Sequence, residues 1–331
     1  MATSMMVTKQ QLIEGPRDKC HVVLLGAGAS RAAFGKNLPV MNDFVQTLKL
    51  RPLIDEAGLD VGNEKNFEVI YDQLVCDSRH ENTARKIECR IREYFSGLAL
   101  PVEATIYDRL LVSLRPTDAV FTFNWDPFLF DAYRRNYGAV PLPGIFFLHG
   151  NVRIGACRGC GKWGARSVIC PNCSQMFFDV PLLYPIGKKD YSKVLYIQSV
   201  WESAKLFFRE AFTLTIFGYG APASDVDAVQ LLRLAWVNKE RPRTFEHIEI
   251  IDTATQSDLY DRWSPFTPTH HCHFTTAFKN SHIARWPRRS CESYFYPMTQ
   301  GKPCEDFPLP PTDNLAELQR YAADIARHEV G

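Results

Sequence analysis

The chain has 331 residues, 46% of them hydrophobic and 23% charged, enough to bury a sizeable core in one large domain or two modest ones and too apolar for a disordered chain. Its 38 basic and 37 acidic side chains leave a formal charge of +1, so bulk electrostatics give no reason to expect a nucleic-acid partner. Ten cysteines are too dilute for a small secreted disulfide scaffold, and no run approaches the roughly 18 apolar residues of a membrane-spanning helix. Met1 to Gln10 also lacks a basic stretch followed by an apolar one, so the expectation is a soluble, cytoplasmic protein with reduced thiols.

After an N-terminal tail (1–20), five short runs are apolar on both pleat faces: His21 to Leu25, Ala119 to Phe123, Ile145 to Leu148, Thr213 to Phe217 and His247 to Ile251. Strands without alternation are covered on both sides. Between them Thr105 to Leu114 and Trp201 to Phe212 carry helical periodicity, and this alternation predicts a doubly wound parallel α/β sheet. More than ninety residues separate the first two strands, and Met41 to Leu50, Phe67 to Cys76 and Thr83 to Phe95 place amphipathic helices there, a helical insertion at about 41–102. Beyond residue 255 the chain is rich in Pro, His and aromatics and reads as a loop-rich C-terminal extension (256–331) closed by a helix around Asn314 to His328.

In open α/β sheets ligands bind beyond the carboxyl ends of the strands. The first strand runs into Gly26-Ala27-Gly28-Ala29-Ser30, the second into Asn124-Trp125-Asp126, the third into His149-Gly150, the fourth into Gly218-Tyr219-Gly220 and the fifth into Asp252. The glycine run suits a phosphate-binding turn, although Arg31 stands where a third fingerprint glycine would fall, and a plain tight turn is an alternative. Asn124 and Asp126 also fit a cap on a helix beginning near Pro127, and His149 alone fits a structural strand-end residue.

Cys157-Arg158-Gly159-Cys160 and Cys170-Pro171-Asn172-Cys173 are two Cys-x-x-Cys knuckles separated by nine residues, the pattern of a structural four-cysteine zinc site. The module spans about 153–180. His270-His271-Cys272-His273 resembles a metal tract, but neighbours on an extended chain point to opposite faces, which favours a loop or strand. Cys20, Cys76, Cys89, Cys272, Cys291 and Cys304 have no paired spacing and read as buried or incidental thiols.

In order along the chain, Gly26-Ala27-Gly28-Ala29-Ser30, Thr122-Phe123-Asn124-Trp125-Asp126, Leu148-His149-Gly150 and the two Cys-x-x-Cys pairs resemble the NAD-binding and catalytic motifs of the sirtuin superfamily, over roughly 21–255. The resemblance implies a doubly wound, Rossmann-like NAD-binding domain with a helical insertion and a small zinc module. It implies that the turn from Gly26 through Ala27, Gly28 and Ala29 to Ser30 holds the pyrophosphate, that Asn124 and Asp126 position the nicotinamide end, and that His149 is the base. Gly218, Tyr219, Ser224 and Asp225 resemble the loop that closes over the cofactor. Asp252 falls where an adenosine-ribose contact follows the last strand, which suits NAD over NADP.

The departures are as specific as the matches. Phe123 replaces a Gln, Lys36-Asn37-Leu38-Pro39-Val40-Met41 replaces Gly-Ile-Pro-x-Phe-Arg, and Val180-Pro181-Leu182-Leu183-Tyr184-Pro185 stands where a Phe-Gly-Glu segment would clamp an acetyl-lysine peptide. This resembles the divergent bacterial sirtuin-like proteins that hydrolyse NAD in antiviral defence. The implied activity is NAD glycohydrolysis to nicotinamide and ADP-ribose, with Asn124 and His149 catalytic and a partner defence protein or homo-oligomer controlling it. An NAD-dependent protein deacylase and a non-catalytic NAD or ADP-ribose sensor are the alternatives.

Overall fold

The computed structural model describes residues 6–35, 38–39, 41–184, 194–222, 225–237, 246–267 and 271–329. Ser224 and His270 lie outside them, as do Lys36, Asn37, Val40 and Pro185. The main sheet contains β1 (His21–Leu25), β2 (Ala119–Thr122) and β3 (Gly144–Phe147). A small second sheet follows, built from β4 (Ile154–Ala156), β5 (Trp163–Ala165) and β6 (Phe178–Asp179). The main sheet then resumes with β7 (Thr213–Phe217), β8 (His247–Ile251) and β9 (Cys272–Thr275).

Its order is β3-β2-β1-β7-β8-β9, and every neighbouring pair is parallel. The chain therefore lays strands to one side of β1 and then returns to lay the rest on the other. The reversal between β1 and β7 opens a crevice at the carboxyl ends, the switch point where such sheets take ligands. β1, β2, β7 and β8 are buried along their whole length, as expected of apolar runs without alternation. Helices Ile106–Val112 and Phe128–Asn136 pack together, as do Leu195–Glu210 and Val226–Trp236. No helix among the described residues is long and apolar enough to cross a membrane.

The insertion has its own core. Phe44, Phe67, Ile70, Leu74, Ile87, Ile91 and Phe95 pack together, and Trp125 reaches into this cluster from the end of β2. Phe67–Val75 and Glu81–Ser96 form as the periodicity predicts. The run Met41 to Leu50 departs from its predicted single helix. Its only helical turn is Phe44–Thr47, then Lys49 adopts φ +53° and a second helix, Arg51–Glu56, starts with Pro52 in its first turn.

The two ends of the chain are structured as well. The segment read as a tail holds helix Lys9–Glu14, with a Thr8–Gln11 capping box and Leu12 and Ile13 buried. The segment read as a loop-rich extension supplies β9, which pairs with β8, and helices Ser290–Gln300 and Leu315–Ala326.

Candidate functional site

All five sheet runs identified in the sequence deliver their carboxyl ends to one cleft of about 500 Å³, within the range of small-molecule sites. Gly26, Ala27, Gly28 and Ser30 line it from β1, Asn124 and Asp126 from β2, and His149 from β3. Gly218, Tyr219 and Asp225 line it from the β7 side and Asp252 from β8, whereas Ala29 is buried beneath it. The insertion supplies Met41, Asn42, Phe44, Asn66, Glu68 and Phe95, which no motif announced.

The glycines sit where the turns after β1 and β7 touch. A Cβ on Gly28 would lie 2.7 Å from the Gly218 Cα, and one on Gly218, whose φ is +61°, would lie 2.2 Å from the Ala29 nitrogen. The Gly26 and Gly28 amides donate to the Phe217 and Gly218 carbonyls at 3.0 and 2.8 Å, so these amides knit the switch point together.

Ser30 is the hub of the floor. Its hydroxyl donates to Asp126 Oδ2 at 2.6 Å, accepts from Asn124 Nδ2 at 3.1 Å and lies 2.6 Å from the Tyr107 hydroxyl. Asn124 Nδ2 also donates to the Gly26 carbonyl at 2.9 Å, which commits the amide hydrogens and leaves the Asn124 carbonyl for the cleft. The other Asp126 oxygen accepts from the Phe128 amide at 3.2 Å, so the cap role coexists with the network. Burial pushes the Asp126 carboxyl up to about 6. Asn151, another residue no motif announced, holds the loop from behind by donating to the Asp126 carbonyl at 2.6 Å.

His149 is 5% exposed, and its ring meets Phe123 edge-on with centroids 4.7 Å apart. Phe123 in turn stacks on Tyr219 at 4.3 Å, and His149 Nε2 lies 3.8 Å from Asp225 Oδ1. The His149 carbonyl accepts from the Leu183 amide at 2.9 Å, which ties this residue to the chain returning from the second sheet. Gly150 permits that return: at φ +77°, a Cβ there would lie 2.3 Å from the Pro181 carbonyl oxygen. Asp252 Oδ1 accepts from the Ala254 amide at 2.9 Å, which leaves Oδ2 for a ligand.

The second sheet, β5-β4-β6, is antiparallel and carries the cysteines. The sulfurs of Cys157, Cys160, Cys170 and Cys173 all lie within 4.8 Å of one another, with Cys157 and Cys173 3.4 Å apart. Thiolates at about 2.3 Å from a tetrahedral zinc ion are separated by roughly 3.8 Å, so the four fit zinc. Backbone donation from Cys160 draws the Cys157 thiol down to about 7, favouring the thiolate a metal needs. Four sulfur ligands leave no open position, so zinc here would hold the hairpin and the Leu183 segment behind it. No second group of three or more ligands occurs among the described residues, and His273 instead lies with its Nδ1 2.7 Å from His247 Nε2.

No family model matches the chain, and no curated protein matches its sequence. Among solved structures it is similar to a Sir2 homologue in complex with NAD, at 13% identity over 95% of this chain and 92% of that one, with a TM-score of 0.40. It is also similar to a mutant Sir2 homologue in complex with ADP ribose, at 14% identity over 96% and 98%, with a TM-score of 0.39.

Proposed function

We propose that the cleft binds NAD and hydrolyses its nicotinamide N-glycosidic bond, releasing nicotinamide and ADP-ribose. The observation that carries this reading is the convergence of five parallel strand ends on one cleft at the switch point, with an amide carbonyl and an imidazole among the groups they present. The turn Gly26 to Ser30 and the helix it opens would lie along the pyrophosphate, and Asp252 Oδ2 would accept from an adenosine-ribose hydroxyl.

At the reacting end, the Asn124 side-chain carbonyl accepts a hydrogen bond from the attacking water or from a ribose hydroxyl and orients it. The water oxygen bonds to the ribose carbon as the carbon–nitrogen bond breaks, and the bond's electron pair leaves with neutral nicotinamide. His149 takes the proton released. Binding energy from the distant adenosine and pyrophosphate holds the reacting bond in place. An imidazole suits this task because it can take up and release a proton within the physiological range. Unrestrained, such a hydrolase empties its own cell of NAD, which suits antiphage defence by NAD depletion under the control of a partner protein or a homo-oligomer.

The test is to incubate the purified chain with NAD, with and without an acetyl-lysine peptide, comparing wild type with Asn124→Ala and His149→Ala. The expected result is peptide-independent nicotinamide and ADP-ribose, reduced roughly a hundredfold or more in each variant. Peptide-dependent release with O-acetyl-ADP-ribose would make the chain a deacylase. NAD binding without turnover would make it a sensor.

A further inference from the structure

Asp225 occupies the N-cap of helix Val226–Trp236, a position aspartate favours because its carboxylate can take the first free amides, yet its side chain makes no cap hydrogen bond. The carboxylate is directed into the cleft instead. Oδ2 accepts from the Tyr219 hydroxyl at 3.0 Å, and Oδ1 faces His149 Nε2 at 3.8 Å. The His149 and Asp225 side chains are each 7% exposed. The imidazole also meets the Phe123 ring edge-on, and Phe123 stacks on Tyr219.

The cleft's other carboxylates are Asp126, bonded to Ser30 and the Phe128 amide, Asp252, bonded to the Ala254 amide, and Glu68 on the insertion. Among the described residues, Asp225 is the carboxylate within ion-pair reach of His149.

We propose that Asp225 is the positioning residue of His149: held by Tyr219, it orients the imidazole and stabilises the imidazolium formed when His149 takes a proton. This deepens the reading of His149 as the base and moves Asp225 from a cofactor contact to a partner of the base. A charge developing beside a fixed carboxylate in a water-poor cleft is stabilised far more than it would be in water. The Tyr219 hydroxyl keeps that carboxylate from turning back to cap its own helix.

The experiment uses the full chain and two readouts. The first is the NMR titration of the His149 imidazole without NAD, its resonance assigned by its loss in His149→Ala. In Asp225→Asn, which keeps the shape and can still accept from Tyr219, the midpoint is expected to fall by about one pH unit or more, as removal of an opposite charge at this range requires. Asp225→Glu is expected to retain most of the wild-type midpoint.

The second readout is the pH profile of nicotinamide release. In Asp225→Asn its acid limb is expected to move down by the same amount, with kcat falling roughly tenfold and KM changing less than about threefold. A midpoint unmoved in Asp225→Asn, or a lower kcat with an unmoved acid limb, would overturn the proposal and leave Asp225 a structural residue. If the wild type turns over no NAD, the hydrolase reading fails, while the imidazole titration still decides whether Asp225 governs His149.

Discussion

Ser30 has one proton to donate and two lone pairs to offer, and the cleft floor uses all three. With its proton on Asp126, the Tyr107 hydroxyl must be a donor to it, as is Asn124 Nδ2. The sequence shows Ser30, Asn124 and Asp126 as strand-end residues, but not this direction of use. From the motif alone Ser30 faces a phosphate, whereas in the fold its hydroxyl points at the next strand end. Tyr107 was illegible because it lies 77 positions away, inside a helix whose periodicity marks it only as apolar. Ser30→Ala takes one partner from each of three buried polar groups and leaves the Asp126 oxygen it faced without its donor. It is expected to lower stability by roughly 1–3 kcal/mol, read as a fall in the urea midpoint. It is also expected to cut nicotinamide release, because Asn124 loses one of the bonds that orient its amide. An unchanged midpoint would mean that the floor does not depend on this hydroxyl.

The strands ending in the cleft were legible because burial on both faces leaves continuous apolar runs of about the right length, ended by glycine or a short polar group. β9 was not. Cys272–Thr275 has one covered neighbour and a half-buried face, so Cys-His-Phe-Thr carries no apolar run, and its pairing with β8 is purely tertiary. What β9 brings is histidine. His273 meets His247 of β8, which stacks on Tyr294 at 4.0 Å, while Glu249 Oε1 accepts from the His282 amide at 2.9 Å. His21 of β1 has Ser290 Oγ at 2.6 Å and Thr215 Oγ1 at 2.8 Å on its two ring nitrogens, an arrangement that suits a neutral ring. Burial lowers His21 to about 4 and drives His247 well below its ordinary value. The unfolded chain protonates these rings near pH 6.5, while the folded chain resists down to about pH 4 for His21, so the neutral rings withdraw stability as pH drops through that window, whereas buried Asp126, which takes its proton near 6 in the fold, adds stability over part of it. His21 alone contributes about 3 kcal/mol to the loss. Glu249, lowered by His282, adds a loss in the same direction below the usual carboxylate range. Going from pH 7 to pH 5, the urea midpoint of His21→Gln is expected to fall less, or rise more, than that of the wild type. Equal differences would remove His21 from the account.

At the scale of the molecule, the two ends of the chain close on each other beside the sheet, and a pair of buried arginines makes the closure. Neither was visible in the sequence, where Arg288 and Arg289 fall in the stretch that reads as loop-rich. Both side chains are fully buried. Arg288 donates to the Leu114 and Pro141 carbonyls at 2.7 and 3.1 Å, and Arg289 donates to the Leu12 and Ile13 carbonyls at 2.9 and 2.6 Å. The N-terminal helix and the loops beside β2 and β3 are therefore tied to adjacent residues. Arg288 is held at φ +65°, an unfavourable backbone for a long side chain that surrounding contacts must maintain. One carboxylate serves both guanidiniums. Glu329 takes Arg288 Nε and Nη2 at 2.7 and 2.6 Å and Arg289 Nη1 at 3.2 Å. Apolar packing follows the same path, with Leu12 and Ile13 against Trp286, Phe307 and Ile325. Removing the carboxylate leaves Arg288 buried with carbonyls alone and Arg289 with carbonyls and the attraction of Glu292, and breaking a buried pair from one side costs roughly 3–5 kcal/mol. Glu329→Gln is therefore expected to lower the urea midpoint substantially, and deletion of residues 327–331 to lower it at least as far. Because this closure lies away from the cleft, NAD turnover by the fraction still folded is expected to keep its wild-type KM. A midpoint within error of the wild type would show that the arginines are held by the carbonyls alone.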